Sequence, residues 1–403
     1  MIQVGWPMRP LGRCAKFLSG GTPDKTRLEF WDGDIPWVSS GEMTERRIYD
    51  TSLHINDEAA TEGSRLVPEG TVLAVVRGMS LANEFRVSIT KRNVAFNQDI
   101  KAFACTPDID SEFLFYALLA RREYIREMAT EASHGTKRLE TDVLSEFKIP
   151  VPDRDTQHRV ATVFSAYDEL IDNNRRRIAL LEEAARALYR DWFVRLRFPG
   201  HEHTRVTNGV PLGWKKTTAF SAIEILSGGT PKTSVPDYWD GELPFYTPKD
   251  AAETCYVLET ERCITELGLN NCNSRLYDRD TVFISARGTV GKLNLASVPM
   301  AMSQSCYALV GRGQISQLFL FCTLRETIEH FKQHAVGAVF DAIVVDTFKL
   351  IPFMVPDSKT LRLFDEMVRP TFRQVANLLE QNRRLNAARD LLLPRVMNGE
   401  IAV

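Results

Sequence analysis

The sequence has no C-x-x-C pair, no apolar run that could cross a bilayer and no basic tail. Each absence narrows what a chain of 403 residues can be. Its seven cysteines, at positions 14, 105, 255, 263, 272, 306 and 322, are odd in number. That argues against a disulfide framework and for a reducing, cytoplasmic setting. Cys255, Cys263 and Cys272 lie near one another, but their spacing suits no tetrahedral metal site. No window of about 18 apolar residues occurs, so no membrane-spanning helix is expected. The opening Met-Ile-Gln-Val-Gly-Trp-Pro lacks the charged and apolar regions of a signal peptide. Net charge is -2, so any contact with nucleic acid must come from local basic loops or be shared with a more basic partner.

Catalytic signatures are also missing. There is no N-P-P-Y or D-P-P-Y box for amino methylation and no loop suited to S-adenosylmethionine. Gly288-Thr-Val-Gly-Lys292 is too short for a phosphate-binding loop and has no copy in the first half. Glu146-Phe-Lys148 could end a nuclease carboxylate–lysine motif, but its counterpart Thr347-Phe-Lys349 has lost the acid.

What is present is a repeat. Leu18-Ser-Gly-Gly-Thr-Pro23 returns as Leu226-Ser-Gly-Gly-Thr-Pro231, a shift of 208 residues. The same shift carries Gly5-Trp6 onto Gly213-Trp214, Trp31-Asp-Gly33 onto Trp239-Asp-Gly241, and Asn174-Arg175-Arg176 onto Asn382-Arg383-Arg384. A period this long is a duplicated domain rather than a solenoid of short units. In the middle the register slips: Arg77-Gly78 matches Arg287-Gly288, and Asn97-Gln98 matches Ser303-Gln304. A shared scaffold with loops of varying length, where recognition usually lives, suits two related but non-identical targets.

At this length more than one core is expected. Thr71–Val76 and Thr281–Ser285 read as strands, while Glu112–Glu127 and Ile315–Gln333 have helical spacing. Pro-containing strands, Lys148–Pro152 and Lys349–Pro356, close each globular region, and a long helix follows each. In the first helix Val160, Phe164, Tyr167, Ile171, Asn174, Ile178, Leu181, Ala185, Leu188 and Trp192 alternate in steps of four and three, which is a coiled-coil seam. Val368, Phe372, Val375, Leu379 and Asn382 form its copy. Past Asn382 that phase meets Asn386 and Arg389, while Leu378, Leu385 and Leu392 offer another stripe, so the second helix is expected to turn a different face. Pro370 could begin or kink it. Asn174 and Asn382 interrupt the two seams at the same place, a device that fixes register. Residues 199–212 read as a polar linker.

Taken together, the tandem S-G-G-T-P boxes, the Arg-Gly boxes after a strand and the V-P turns into long helices resemble one family. Trp192-Phe193-Val194 and Leu393-Pro394-Arg395-Val396-Met397-Asn398-Gly399-Glu400-Ile401 add to the likeness. The family is that of the specificity subunits of Type I restriction–modification enzymes, and the likeness covers nearly the whole chain. It implies an α+β chain with two similar mixed α/β target-recognition domains in tandem, 1–153 and 213–356. Each is followed by a long helix, 154–198 and 357–403, and the two helices pair as an antiparallel coiled coil. It further implies a non-catalytic subunit that reads a split, asymmetric sequence on double-stranded DNA. Two modification (methyltransferase) subunits would dock on it, and restriction subunits join where present. No cofactor is expected in this chain; S-adenosylmethionine belongs to the modification partner, and ATP and Mg to the restriction partner. One departure stands out: the first half has Arg77-Gly-Met-Ser-Leu-Ala82 where the second has Arg287-Gly-Thr-Val-Gly-Lys292.

Major-groove reading favours Arg or Lys for guanine, Asn or Gln for adenine, and Ser or Thr as adaptable donors. The candidates are Arg77, Ser80, Asn97 and Gln98 in the first half, and Arg287, Thr289, Lys292 and Gln304 in the second. The turns Ser19-Gly20-Gly21-Thr22 and Ser227-Gly228-Gly229-Thr230, followed by Lys25 and Lys232, could present backbone N–H groups and hydroxyls to a phosphate. Trp31, Trp37 and Trp239 read as core. The spacer and partner-docking set is Val160, Phe164, Ile171, Asn174, Leu181, Leu188, Trp192, Val375, Leu379, Asn382 and Leu385. From Val160 to Trp192 the helix should span about 50 Å, or roughly 15 base-pair steps. The rival expectations are a coiled-coil scaffold that does not touch DNA and a stand-alone nuclease.

Overall fold

The computed structural model describes residues 5–132, 135–288, 290–334 and 343–402, and for 329–334 the backbone alone. The chain forms two compact units, Met1–Ile171 with Leu385–Val403, and Asp172–Arg384. The boundaries expected from sequence made the helices separate segments; instead each long helix gives one part to each unit.

The first unit is built on a five-stranded sheet in the order Ala15–Ser19, Ile100–Cys105, Val72–Val75, Val87–Thr90, Arg47–Ile48. Neighbours run antiparallel, except that Arg47–Ile48 lies parallel to Val87–Thr90. Val72–Val75 is buried throughout because both faces of the sheet are covered. Side chains alternate along a strand. Val72 and Ala74 pack with Phe103 against the helix Ser111–Ala120, whereas Leu73 and Val75 pack with Val38, Val67 and Phe96 of a smaller sheet. The helix begins where the Asp110 carboxylate accepts the Phe113 N–H at 2.9 Å, an N-cap. The expected helix over Glu112–Glu127 is two helices, Ser111–Ala120 and Arg122–Glu127, broken at Arg121.

The second unit repeats the plan. Its main sheet runs Ile223–Ser227, Cys306–Gly311, Val282–Ser285, Leu293–Ala296, Tyr256–Val257, and the last pair is again parallel. The helix Gln317–His334 takes the place of Ser111–Ala120. Trp239–Tyr246, Cys263–Ile264 and Ala301–Met302 form the smaller sheet. The expected Pro-rich closing strands pair near the start of each repeat, Lys148–Pro150 with Met8–Pro10 and Pro352–Val355 with Lys215–Thr218.

The long helices are Arg154–Tyr189, continued by a π-turn to Val194, and Ser358–Met397. The second starts at an Asp357 cap, whose carboxylate accepts the Thr360 N–H at 3.0 Å, and runs through Pro370 rather than beginning there. In the first unit Val160 and Phe164 pack with Leu393, Val396 and Met397; in the second Ile178, Leu181 and Ala185 pack with Phe372, Val375 and Leu378. This is antiparallel packing of the two seams. Asn174 and Asn382 meet each other: the Asn174 amide donates to Asn382 Oδ1 at 2.9 Å, both side chains buried. Residues at equivalent points of the repeat are therefore hydrogen-bonded to one another.

The expected change of face past Asn382 does not occur. Arg389 stays on the seam, 3% exposed, because Asp168 on the facing helix takes its charge. Asp168 also accepts the Tyr116 hydroxyl at 2.8 Å, and Arg46 approaches at 3.8 Å. Leu385 and Leu392 are only half-buried. At the equivalent points of the second unit stand Ala376 and Leu181, in its apolar core. One contact is thus ionic in the first unit and apolar in the second.

Candidate nucleic-acid interface

The Ser-Gly-Gly-Thr boxes end the first edge strand of each main sheet, where the chain leaves the sheet beside a turn of the smaller one. The glycines are there for close approach. A Cβ on Gly20 would lie 2.1 Å from the Phe96 carbonyl oxygen, and one on Gly228 would lie 2.3 Å from that of Ser303. The Gly21 N–H donates to Phe96 O at 2.9 Å, and Gly229 N–H to Met302 O at 3.1 Å. These donors are consumed internally, so the expected phosphate cradle is corrected at Gly21 and Gly229. What the boxes do offer is hydroxyls. Thr22 donates to Gln98 Oε1 at 2.7 Å, and the exposed Ser19 accepts from Lys101 at 2.6 Å. Lys25 and Lys232 are exposed, although the Lys232 carbonyl accepts the Trp239 indole N–H at 3.2 Å.

Arg77 and Arg287 follow the central strand of each sheet and are exposed, not buried partners of the core. Hydrogen bonds from the residue before each, Val76 N–H to Asp99 O and Ala286 N–H to Ser305 O, place both arginines beside the Asn97–Asp99 or Ser303–Ser305 turn. Gln98 and Gln304 are exposed on those turns. Asn97 is not: it is 6% exposed and its side chain accepts the Asp99 N–H at 3.1 Å. Its expected reading role is corrected to holding the turn. In the first unit Arg77 also starts a short ribbon, pairing with Arg138 while Gly78 pairs with Lys137. Ser80 begins the turn that follows. Lys101, Lys137 and Arg138 were missed in the sequence because no motif contains them.

In the second unit the surroundings of Arg287 form a cleft of about 580 Å³, lined by Thr247, Lys249, Arg262, Arg287, Ser303 and Ser305. An acid pins one wall: Asp250 accepts the Thr247 N–H at 2.8 Å and the Glu261 N–H at 2.6 Å. In the first unit Glu42 does the same for Ser39 and Ser52. Burial pushes the Glu42 carboxyl up, but hydrogen bonds from Ser52 and Ser39 outweigh it and hold the group below its ordinary value. Lys292 is elsewhere, ion-paired to Glu253 in a separate recess. Thr289 lies outside the described residues. Beside these turns the two units differ. Arg262 and Leu53 hold the same place, each carbonyl accepting from the strand alongside (Phe245 N–H at 3.0 Å, Trp37 N–H at 2.9 Å). Arg262 could have been found as an unmatched basic residue between matched landmarks.

Trp37 and Trp239 are buried, as expected of core residues, and Trp31 stands edge-on to Trp37 at 5.1 Å. Of the spacer set, Val160, Phe164, Ile171, Asn174, Trp192, Val375 and Asn382 are buried within the units, and Leu181, Leu188, Leu379 and Leu385 are half-buried. The buried ones hold helix to helix and cannot also be a docking surface. Among the described residues the large apolar side chains that the long helices leave exposed are Val163, Leu170, Leu180, Val194, Met367 and Leu391. Among the described residues no helix is long and apolar enough to cross a membrane.

Two copies of one mixed sheet-and-helix head, each joined to a long helix, define a class of DNA-recognition subunit. The chain belongs to the family of the Type I restriction modification DNA specificity domain, which it matches over residues 3–183 and 211–372. It is a specificity subunit, not a catalytic one. It is 24% identical to the MjaIX specificity subunit of Methanocaldococcus jannaschii, over all of this chain and 95% of that one. It is 22% identical to the HindI specificity subunit of Haemophilus influenzae, over 72% of this chain and 77% of that one. The fold is shared with the S subunit of a Type I system from M. genitalium, with a TM-score of 0.62, 17% identity and coverage of 98% and 96%.

Proposed function

We propose that this chain reads a bipartite, asymmetric DNA target, each unit taking one half-site. One observation carries this reading: the same turns and backbone bonds are built twice with different lips, Leu53 beside one and Arg262 beside the other. Identical lips would suit a palindrome; unlike lips suit two different half-sites. The chain docks two modification subunits, with two restriction subunits where these exist, and works in the cytoplasm. It holds no cofactor itself. S-adenosylmethionine sits in the modification partner, and ATP and Mg in the restriction partner.

The test is methylome sequencing of a host that carries this chain with its modification partner. Adenine methylation confined to one split, non-palindromic motif is the expected result. Partner binding with no sequence-selective DNA retention, even in the assembled complex, would leave only the scaffold. Cleavage of DNA by the chain alone with Mg²⁺ would favour the nuclease.

A further inference from the structure

We propose that Arg262 and Arg287 read guanine in the half-site taken by the second unit. The inference rests on the DNA-reading function above and names the base. Arg262 is exposed, yet its guanidinium carbon sits 3.4 Å from the centre of the Trp239 ring. Stacking occupies the face of the guanidinium and leaves its N–H fork free in the plane, the geometry that matches guanine O6 and N7. The platform beneath is fixed. Trp239 stands edge-on to Phe245 at 5.5 Å and 89°, and its indole N–H donates to the Lys232 carbonyl at 3.2 Å. The backbone is fixed as well, because the Arg262 carbonyl accepts both the Phe245 N–H at 3.0 Å and the Thr260 hydroxyl at 2.7 Å.

The fold does not need this guanidinium. Leu53 makes the same backbone bond in the first unit, where Trp31 and Trp37 form the equivalent aromatic pair. An arginine kept flat and solvent-facing where its counterpart is leucine is placed for a ligand. Arg287 lines the same cleft from the end of the central strand. Lys249 and Glu261, 4.0 Å apart, share the lining, so the cleft presents two forks suited to guanine edges and, in Lys249, a cation toward a flanking phosphate.

The test uses the full chain assembled with its modification partner and duplexes carrying the target found by methylome sequencing. Each guanine is replaced in turn by 7-deazaguanine, which removes N7. With the unaltered chain, replacement at one or two guanines of a single half-site should weaken binding about 5- to 150-fold. Arg262→Ala should abolish the sensitivity at one of them and Arg287→Ala at the other, with the remaining half-site unaffected. Arg262→Met, which keeps an apolar stem over Trp239, serves if the alanine variant does not fold. If no 7-deazaguanine matters to the unaltered chain, or both variants keep the full sensitivity, the assignment is overturned. If the unaltered complex retains no DNA selectively, the DNA-reading function fails first and takes this inference with it.

Discussion

Removing the charge of Asp168 should destabilise the first unit about as much as truncating a large apolar side chain on the helix seam. Asp168 and Arg389 are 4% and 3% exposed, and the carboxylate is shared with the Tyr116 hydroxyl and, at 3.8 Å, Arg46. Asp168→Asn keeps the shape but removes the buried counter-charge of Arg389, leaving it only the more exposed Asp390 at 3.0 Å. Breaking a buried pair from one side costs about 3–5 kcal/mol. With a urea slope of about 3 kcal/mol/M, the midpoint should fall by about 1–1.7 M. Arg389→Leu should cost somewhat less, because Arg46 still faces Asp168. The molecule supplies its own control, since the equivalent residues of the second unit are Ala376 and Leu181. The double variant Asp168→Ala, Arg389→Leu copies that apolar contact and should recover half or more of the loss, so the two changes should be far from additive. Hydrogen exchange in the helix Ser111–Ala120 reports the first unit separately. Singles within about 0.5 kcal/mol of the unaltered chain, or a double as unstable as the sum, would refute the reasoning.

Asn174→Leu alone takes the Asn174 donor away from the buried Asn382 carbonyl and should lower stability by about 1–3 kcal/mol, whereas leucine at both positions should be close to neutral in thermal melts. Gly20→Ala must push a methyl into the Phe96 carbonyl and should cost about 1–3 kcal/mol in urea unfolding. Seven residues inserted into each long helix add about 10 Å and should lengthen the gap between half-sites by about 3 base pairs; an unchanged gap in the methylome would refute the ruler. Burial pushes the thiols of Cys105, Cys306 and Cys322 up to about 12. Because the thiolate is the reactive form, these three should resist iodoacetamide at pH 8 in the native chain and react once it is unfolded, as mass spectrometry can follow.

The repeat, the strand runs and the heptad seam were legible in the sequence because each depends on apolar periodicity, which burial enforces directly. The ion pair was not legible. Arg389 reads as a solvated charge until the residue facing it is known, and the seam therefore looked as if it changed face. The glycines of the boxes were located correctly, but their use was not. A tight turn that offers N–H groups and a tight turn that spends them on a neighbouring strand have the same sequence. Asn97 shows the same limit, since nothing local distinguishes an exposed amide from one closing its own turn. Arg262 escaped because shared boxes draw attention to what two halves have in common, whereas discrimination between half-sites resides in what differs.

The mismatch between the two ends of the helix seam bears on how the gene could be divided. A fragment ending after the first long helix could associate with an identical fragment, and Asn174 would then face another Asn174, an acceptable amide pair. Asp168 would face Leu181 in place of Arg389, keeping the Tyr116 hydroxyl and Arg46 but losing its buried counter-charge. The carboxyl-terminal helix is thus a plug shaped for one socket, which favours closure of the intact polypeptide on itself over exchange between fragments.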